Sequence, residues 1–151
     1  MKLRALVFED DEYTRFLLVT LLKRRGYEVI PFEDPSQCPL EEGRVCYAAC
    51  ADVLISDLRM PRMTGLEFLE RQKKRGCPIA NTALVSGAWS YAELTRAEEL
   101  GCQVFHKPFN LSEVNAWLAA CEQAVDPGRV LADLPTSPAS ETPGQAAGTG
   151  P

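Results

Sequence analysis

The middle of the chain contains the run Val53-Leu54-Ile55-Ser56-Asp57-Leu58-Arg59-Met60-Pro61-Arg62-Met63-Thr64-Gly65. Its first residues form a short apolar segment without clean alternation, which is typical of a strand buried on both faces of a parallel sheet. Asp57 closes this segment, and a proline and a glycine then favour a loop. Other apolar segments end in the same way, on Glu9-Asp10, on Ser86 and on Lys107. This repeated pattern indicates a sheet in which four strands end at a charged or hydroxyl-bearing side chain.

Strand-like and helix-like segments alternate through the first 126 residues. The predicted strands are Arg4–Phe8, Tyr27–Phe32, Asp52–Ser56, Thr82–Ser86 and Gln103–His106. A βα unit that recurs about five times predicts an α/β fold, a doubly wound five-stranded parallel sheet with helices on both faces. Its crossover connections are expected to be right-handed.

Helix boundaries carry signals of their own. Asp11 is expected to cap the first helix. Three other caps are each followed three residues later by a glutamate: Thr64 with Glu67, Ser90 with Glu93, and Asn110 with Glu113. Three glycines stand where a left-handed residue would end a helix: Gly26, Gly76 and Gly101. Prolines interrupt the stretch after Asp34, where we expect an irregular loop and a short helix near Leu40–Cys50.

Composition sets the domain organisation and argues against some classes of protein. The chain has 151 residues, 46% hydrophobic and 25% charged, which suits one globular domain with a core. We place this domain at residues 1–126 and predict a disordered tail, rich in Pro, Gly, Ser, Thr and Ala, at residues 127–151. The net charge of −5 argues against nucleic-acid binding. No apolar run suits a membrane span or a signal peptide, so we expect a cytoplasmic protein with reduced cysteines.

The polar strand ends are expected to meet. In an open parallel sheet, ligands bind outside the carboxyl ends of the strands. Glu9 and Asp10 end the first predicted strand, Asp57 the third and Ser86 the fourth, and Lys107 follows the fifth. These side chains should therefore share one rim, where carboxylates, a hydroxyl and an amine could handle a phosphoryl group and a divalent cation.

These motifs resemble those of the response-regulator receiver domain of two-component signalling, over about residues 1–124. Val7-Phe8-Glu9-Asp10-Asp11 looks like the acidic end of the first strand, and Asp57-x-x-Met60-Pro61-x-x-x-Gly65 is similar to the phosphoacceptor motif. Ser86-Gly87 fits the hydroxyl position, and Lys107-Pro108-Phe109 resembles the ending of the last strand. The resemblance implies a flavodoxin-like sheet with the strand order 2-1-3-4-5.

The resemblance also implies a chemistry. Asp57 would accept a phosphoryl group from the phosphohistidine of a sensor histidine kinase or phosphotransfer protein, while Lys107 and Ser86 would contact phosphoryl oxygens. Close carboxylates repel unless a dication or proton intervenes, and Mg²⁺ suits such oxygen ligands. We assign Asp10 and Asp57 as direct metal ligands and Glu9 as a ligand through water, and the resemblance adds the backbone carbonyl of Arg59. The protein would then switch a surface read by a downstream protein target, without acting as an enzyme on other substrates and without nucleic-acid or membrane partners.

Departures from the family pattern leave two other functions open. Val104 stands three positions before Lys107, where receiver domains usually have an aromatic residue. This departure, with a shortened segment before the lysine, motivates a receiver-like adaptor that works without phosphorylation. Cys38, Cys46 and Cys50 motivate a cysteine-based metal or redox sensor, because thiols four residues apart on a helix share a face. A structural zinc site needs a fourth ligand, which the nearby sequence does not supply.

Overall fold

The computed structural model describes residues 2–38 and 48–134. The strands are β1 (Leu3–Phe8), β2 (Tyr27–Phe32), β3 (Val53–Asp57), β4 (Asn81–Ser86) and β5 (Gln103–His106). The helices in the described residues are α1 (Glu12–Arg24), α2 (Gly65–Lys74), α3 (Tyr91–Glu99) and α4 (Leu111–Ala124), and a 3₁₀ turn covers Pro35–Gln37. All strand pairs are parallel, in the order β2-β1-β3-β4-β5. The predicted fold class and strand order are confirmed.

Strand boundaries differ from the predicted ones by a single residue. β1 begins at Leu3, β4 begins at Asn81, and β3 covers Val53–Asp57 instead of 52–56. Asp57 is therefore the last residue of a strand, and it pairs with Val85 of β4. The strand pairing holds the backbone of Asp57 and so fixes where its carboxylate emerges from the sheet.

Apolar side chains cover both faces of the sheet. One cluster combines residues of α1 and α4, such as Leu22 and Leu118, with strand residues such as Ile55. The other combines residues of α2 and α3, such as Phe68, with strand residues such as Leu54. All five residues of β3 are buried, which explains why its sequence lacks the alternation of a half-exposed strand. Each fully buried side chain of this size contributes about 1.5–3 kcal/mol.

The helix caps form as the sequence predicts. Asp11 accepts the amide of Thr14, and Thr64 and Asn110 accept the amides three residues ahead of them. Ser90 and Glu93 form a reciprocal capping box at α3. The three predicted helix-ending glycines all have a positive φ, at Gly26, Gly76 and Gly101. A side-chain cap at a helix N-terminus contributes about 1 kcal/mol to stability, so the capping residues help to fix where each helix begins.

The segment after α4 folds back against the amino-terminal edge of the sheet. Arg129 donates two bonds of 2.6 Å to the Asp52 carboxylate. The Ala132 amide donates to the Ala49 carbonyl at 2.8 Å, and Arg4 donates to the Ala132 carbonyl at 2.9 Å. The boundary predicted at residue 126 falls ahead of these contacts. The division into a domain at residues 1–126 and a disordered tail at residues 127–151 stays a prediction.

Two other expectations concern the rest of the chain. The helix predicted near Leu40–Cys50 lies mostly outside the described residues, and residues 48–50 are irregular. Within the two described ranges, no helix combines the length and the apolar character that a membrane span requires.

Candidate functional site

Three carboxylates meet at the carboxyl-terminal edge of the sheet. Glu9 and Asp10 follow β1, and Asp57 ends the adjacent β3. One oxygen atom from each of the three carboxylates lies within 4.8 Å of the others. Glu9 and Asp57 are buried, whereas Asp10 is exposed. The acidic residues that the sequence placed on one rim therefore do lie together, at a spacing that could surround one metal ion.

Lys107 reaches the same place from the end of β5. Its Nζ atom lies 2.8 Å from Oε1 of Glu9 and 3.1 Å from Oδ1 of Asp57. Its amide donates to the Ser86 carbonyl at 3.0 Å, which continues the pairing of β4 and β5 by one residue. The ammonium group thus bridges two carboxylates that would otherwise repel each other.

Burial makes these charges costly. Burial raises the pKa of Glu9 to about 7, and the hydrogen bond from Lys107 opposes this only in part. Burial also raises the pKa of Asp57 above its usual range. Burial alone would lower the pKa of Lys107, but its bonds to Glu9 and Asp57 hold that pKa above its ordinary value. The Lys107 ammonium contacts two of the three clustered carboxylates. One ammonium group among three carboxylates leaves an excess of negative charge, which a divalent cation could neutralise.

Gly65 lets α2 begin directly against the end of β3. A Cβ atom on Gly65 would lie 2.4 Å from the Asp57 carbonyl oxygen and 2.7 Å from Cδ2 of Leu84. The Gly65 amide donates to the Leu58 carbonyl at 2.8 Å. The glycine of the Asp57–Gly65 motif is therefore required by close backbone approach, and it acts on the position of Asp57.

Ser86 ends β4, the strand next to β3. Its hydroxyl donates to the Ala88 carbonyl at 2.9 Å and accepts from the Ala88 amide at 3.2 Å. The sequence placed Ser86 on the rim with the acids, and its backbone does lie at that edge. Its hydroxyl is engaged with the loop that leads to α3.

Arg59 directs its side chain toward the same loop. Its Nη2 atom donates to Oε1 of Glu93 at 2.9 Å and to the Ala88 carbonyl at 3.1 Å. The sequence suggested Glu93 only as the second half of a helix cap. Because Arg59 and Glu93 are 34 residues apart, no local pattern signals their contact.

Aromatic residues surround β5. The Trp89 indole donates to the Phe105 carbonyl at 3.3 Å and meets the ring of His106 edge-on, with ring centres 6.4 Å apart. His106 is exposed. Val104, which occupies the position of the expected aromatic residue, is partly buried against the same cluster as Trp89. Phe105 is buried and packs edge-on against Trp117.

Among the described residues, no cysteine belongs to the group formed by Glu9, Asp10 and Asp57. Cys38 and Cys50 are buried in the cluster that contains α2 and α3 residues. Cys46 lies outside the described residues, so the three-thiol metal or redox hypothesis stays a prediction. Cys77 and Cys102 line a cavity of about 280 Å³ next to Leu69, and burial raises the pKa of Cys102.

Comparison with known protein families agrees with this arrangement. Residues 5–119 match the family described as the response regulator receiver domain, which is more than half of the chain. The transcriptional regulatory protein PdtaR of Mycobacterium tuberculosis is 31% identical over 134 residues, covering 87% of this chain and 60% of PdtaR. The chain thus spans less than two thirds of the length of this curated relative.

Solved structures show the same fold. The non-phosphorylated receiver domain of HemR from Leptospira biflexa has a TM-score of 0.69 and 26% identity, covering 82% of this chain and 97% of that one. The chemotaxis protein CheY4 of Vibrio cholerae has a TM-score of 0.67 and 24% identity, covering 80% of this chain and 99% of that one.

Proposed function

The chain belongs to the response-regulator receiver domain family, and on this premise we propose that it is a phosphoacceptor of a two-component phosphorelay. Asp57 receives a phosphoryl group from the phosphohistidine of a sensor histidine kinase or a phosphotransfer protein. The observation that supports this role is the clustering of the Glu9, Asp10 and Asp57 carboxylates within 4.8 Å of one another, with the Lys107 ammonium bonded to those of Glu9 and Asp57. Phosphorylation then switches a surface that a downstream protein recognises.

The donor set suits Mg²⁺. Three carboxylate oxygens within 4.8 Å of one another, one of them on an exposed residue, match a hard cation that keeps several waters. In this proposal Asp10 and Asp57 bind the ion directly, Glu9 acts through water, and the backbone carbonyl of Arg59 completes the protein ligands. When bound, the ion neutralises charge on the carboxylates and on the phosphoryl oxygens.

The transfer itself is a displacement at phosphorus. A carboxylate oxygen of Asp57 forms the new O–P bond while the N–P bond of the phosphohistidine breaks, and its electron pair returns to the imidazole nitrogen. Lys107 neutralises one phosphoryl oxygen, and Ser86 donates its hydroxyl to another after leaving the Ala88 carbonyl. Positioning and charge stabilisation of this kind provide most of the catalysis of phosphoryl transfer.

The proposed activity is limited to the protein itself. It catalyses only its own phosphorylation and dephosphorylation, and it is not an enzyme acting on other substrates. A net charge of −5 supports partners that are proteins rather than nucleic acids or membranes. We also propose that the protein is cytoplasmic, where it would receive the phosphoryl group from the kinase.

Acetyl phosphate with Mg²⁺ tests this function. The wild type should gain the mass of one phosphoryl group, and Asp57→Asn should not, because an amide is not a nucleophile for this transfer. Asp133→Asn, which changes an exposed aspartate beyond α4, is the matched control and should label normally. Labelling that is independent of Mg²⁺, or equal in Asp57→Asn, would reject the proposal. A partner that binds the wild type and Asp57→Asn equally would favour the adaptor instead.

A further inference from the structure

A network of hydrogen bonds links the proposed phosphoryl site to the first turn of α3. The Ala88 carbonyl accepts both the Ser86 hydroxyl, at 2.9 Å, and the Arg59 guanidinium, at 3.1 Å. Arg59 also follows Asp57 by only two residues in the chain. The guanidinium therefore lies beside the hydroxyl that would hold a phosphoryl oxygen on Asp57.

Glu93 forms the other end of this network. Its Oε1 atom accepts from Arg59 at 2.9 Å and from the Ser90 amide at 2.9 Å. The same carboxylate therefore closes the cap of α3 and holds the arginine. The Arg59 side chain is 53% exposed and that of Glu93 is 21% exposed, so their ion pair is a weak one that competition could break.

We propose that Arg59 exchanges partners when Asp57 is phosphorylated. Its guanidinium group leaves Glu93 and binds a phosphoryl oxygen. This inference rests on the proposed phosphoacceptor function. A phosphoryl group carries a charge of about −1.5 to −2 at neutral pH, against a charge of −1 on Glu93. A guanidinium group also matches the geometry of phosphate oxygens through two parallel N–H donors. In this exchange the guanidinium leaves Glu93 for the phosphoryl group, and α3 loses its tie to the loop after β3.

The exchange gives the two side chains opposite effects. Arg59 stabilises the phosphorylated state, because it contacts the phosphoryl group there. Glu93 stabilises the unmodified state, because it holds Arg59 away. Residues that only supported the fold would change both states alike, so the opposite signs distinguish the exchange from a structural role.

Binding of beryllofluoride, a phosphoryl mimic, measures this exchange on the full chain with Mg²⁺ present. Fluorine NMR follows the bound mimic without relying on any side chain as a reporter. Arg59→Gln should weaken binding by about 5-fold, the value of one partly exposed charge-assisted contact. Glu93→Gln should strengthen it by about 2- to 5-fold, because an exposed ion pair of this kind is lost. Glutamine still fits the capping box, so α3 keeps its start.

The double variant and a control complete the test. Because Glu93 acts through Arg59, Arg59→Gln with Glu93→Gln should bind like Arg59→Gln alone. Arg96→Gln removes an arginine of α3 that pairs with Glu70 at 2.7 Å and is exposed to a similar extent as Arg59, and it should leave the affinity unchanged. Weaker or unchanged binding in Glu93→Gln, or an equal Glu93→Gln effect in both backgrounds, would overturn the exchange. Beryllofluoride binding by the wild type that needs neither Mg²⁺ nor Asp57 would instead overturn the phosphoacceptor function itself.

Discussion

Replacing Arg129 by glutamine should destabilise the protein by more than the loss of a surface ion pair. The Arg129 guanidinium makes two bonds of 2.6 Å to Asp52, whose side chain is only 5% exposed, while that of Arg129 is 20% exposed. Removing one partner of a fully buried pair costs about 3–5 kcal/mol, and losing an exposed pair costs about 0–1 kcal/mol. The pair lies between these limits, and the Arg4 amide still donates to Asp52 at 2.9 Å. We therefore expect a loss of about 2 kcal/mol, which lowers the melting temperature by about 6–8 °C.

Urea unfolding of the full chain, followed by far-ultraviolet circular dichroism, measures this loss. The matched control is Arg96→Gln, since Arg96 also contacts two carboxylates, Glu70 at 2.7 Å and Glu99 at 2.9 Å, but is 44% exposed. The control should lose no more than about 0.5 kcal/mol. Equal losses in the two variants would refute the argument that burial makes the Asp52 contact strong.

The pH dependence of the difference in unfolding free energy between the wild type and Arg129→Gln provides a second check. Burial raises the pKa of Asp52, but the hydrogen bonds from Arg129 and from the Arg4 amide outweigh it and hold that pKa below its usual range. A lowered folded-state pKa contributes stability that is complete above the unfolded pKa of about 3.9 and is lost as the pH falls through the folded pKa. Without Arg129, burial should raise the Asp52 pKa in the variant. The difference in unfolding free energy between the wild type and Arg129→Gln should therefore be constant from about pH 6 to 8 and shrink below about pH 5. A difference that grows on acidification would contradict this sign.

Two further substitutions and one thiol-labelling experiment have definite expected outcomes. Gly65→Ala places a Cβ atom 2.4 Å from the Asp57 carbonyl oxygen, so it should lower the free energy of unfolding by about 2 kcal/mol or more and reduce acetyl phosphate labelling; unaltered urea unfolding and labelling would refute the steric argument. Ser90→Ala removes the α3 cap and should cost about 1 kcal/mol by urea unfolding; a loss below about 0.3 kcal/mol would mean that the capping box does not stabilise α3. Burial raises the pKa of Cys121 to about 11, so about 0.1% of this thiol is ionised at pH 8. Cys121 should therefore stay unlabelled by iodoacetamide. Rapid modification of Cys121 in the folded protein, detected by mass spectrometry, would contradict this.

Much of the fold could be predicted because its signals are local. The caps at Thr64, Ser90 and Asn110 and the helix-ending glycines depend on backbone geometry within four residues of each position. The convergence of Glu9, Asp57 and Lys107 could also be predicted, since parallel strand ends meet at one edge. The error of one residue at β3 arose because Asp57 reads as a turn acid, although its backbone still pairs with β4.

Two ion pairs between distant residues, Arg129 with Asp52 and Arg59 with Glu93, could not be predicted. Arg129 lies 77 residues from Asp52, and it sits in a segment whose average composition indicates disorder. A single arginine that finds a buried carboxylate does not change that average. Arg59 is similar, because an arginine in a loop is compatible with many partners and nothing in its neighbourhood selects Glu93.

The two edges of the sheet use carboxylates in opposite ways. At the amino-terminal edge Asp52 is matched by Arg129, so its pKa is lowered and the pair stabilises the unmodified fold. At the carboxyl-terminal edge burial raises the pKa of both Glu9 and Asp57, and Lys107 bridges them. An edge with surplus negative charge is poor for stability but suited to binding a cation and, with it, a phosphoryl group. Asp52 directly precedes β3 and Asp57 ends it, so the strand beside the stabilising ion pair is also the strand that presents the proposed acceptor.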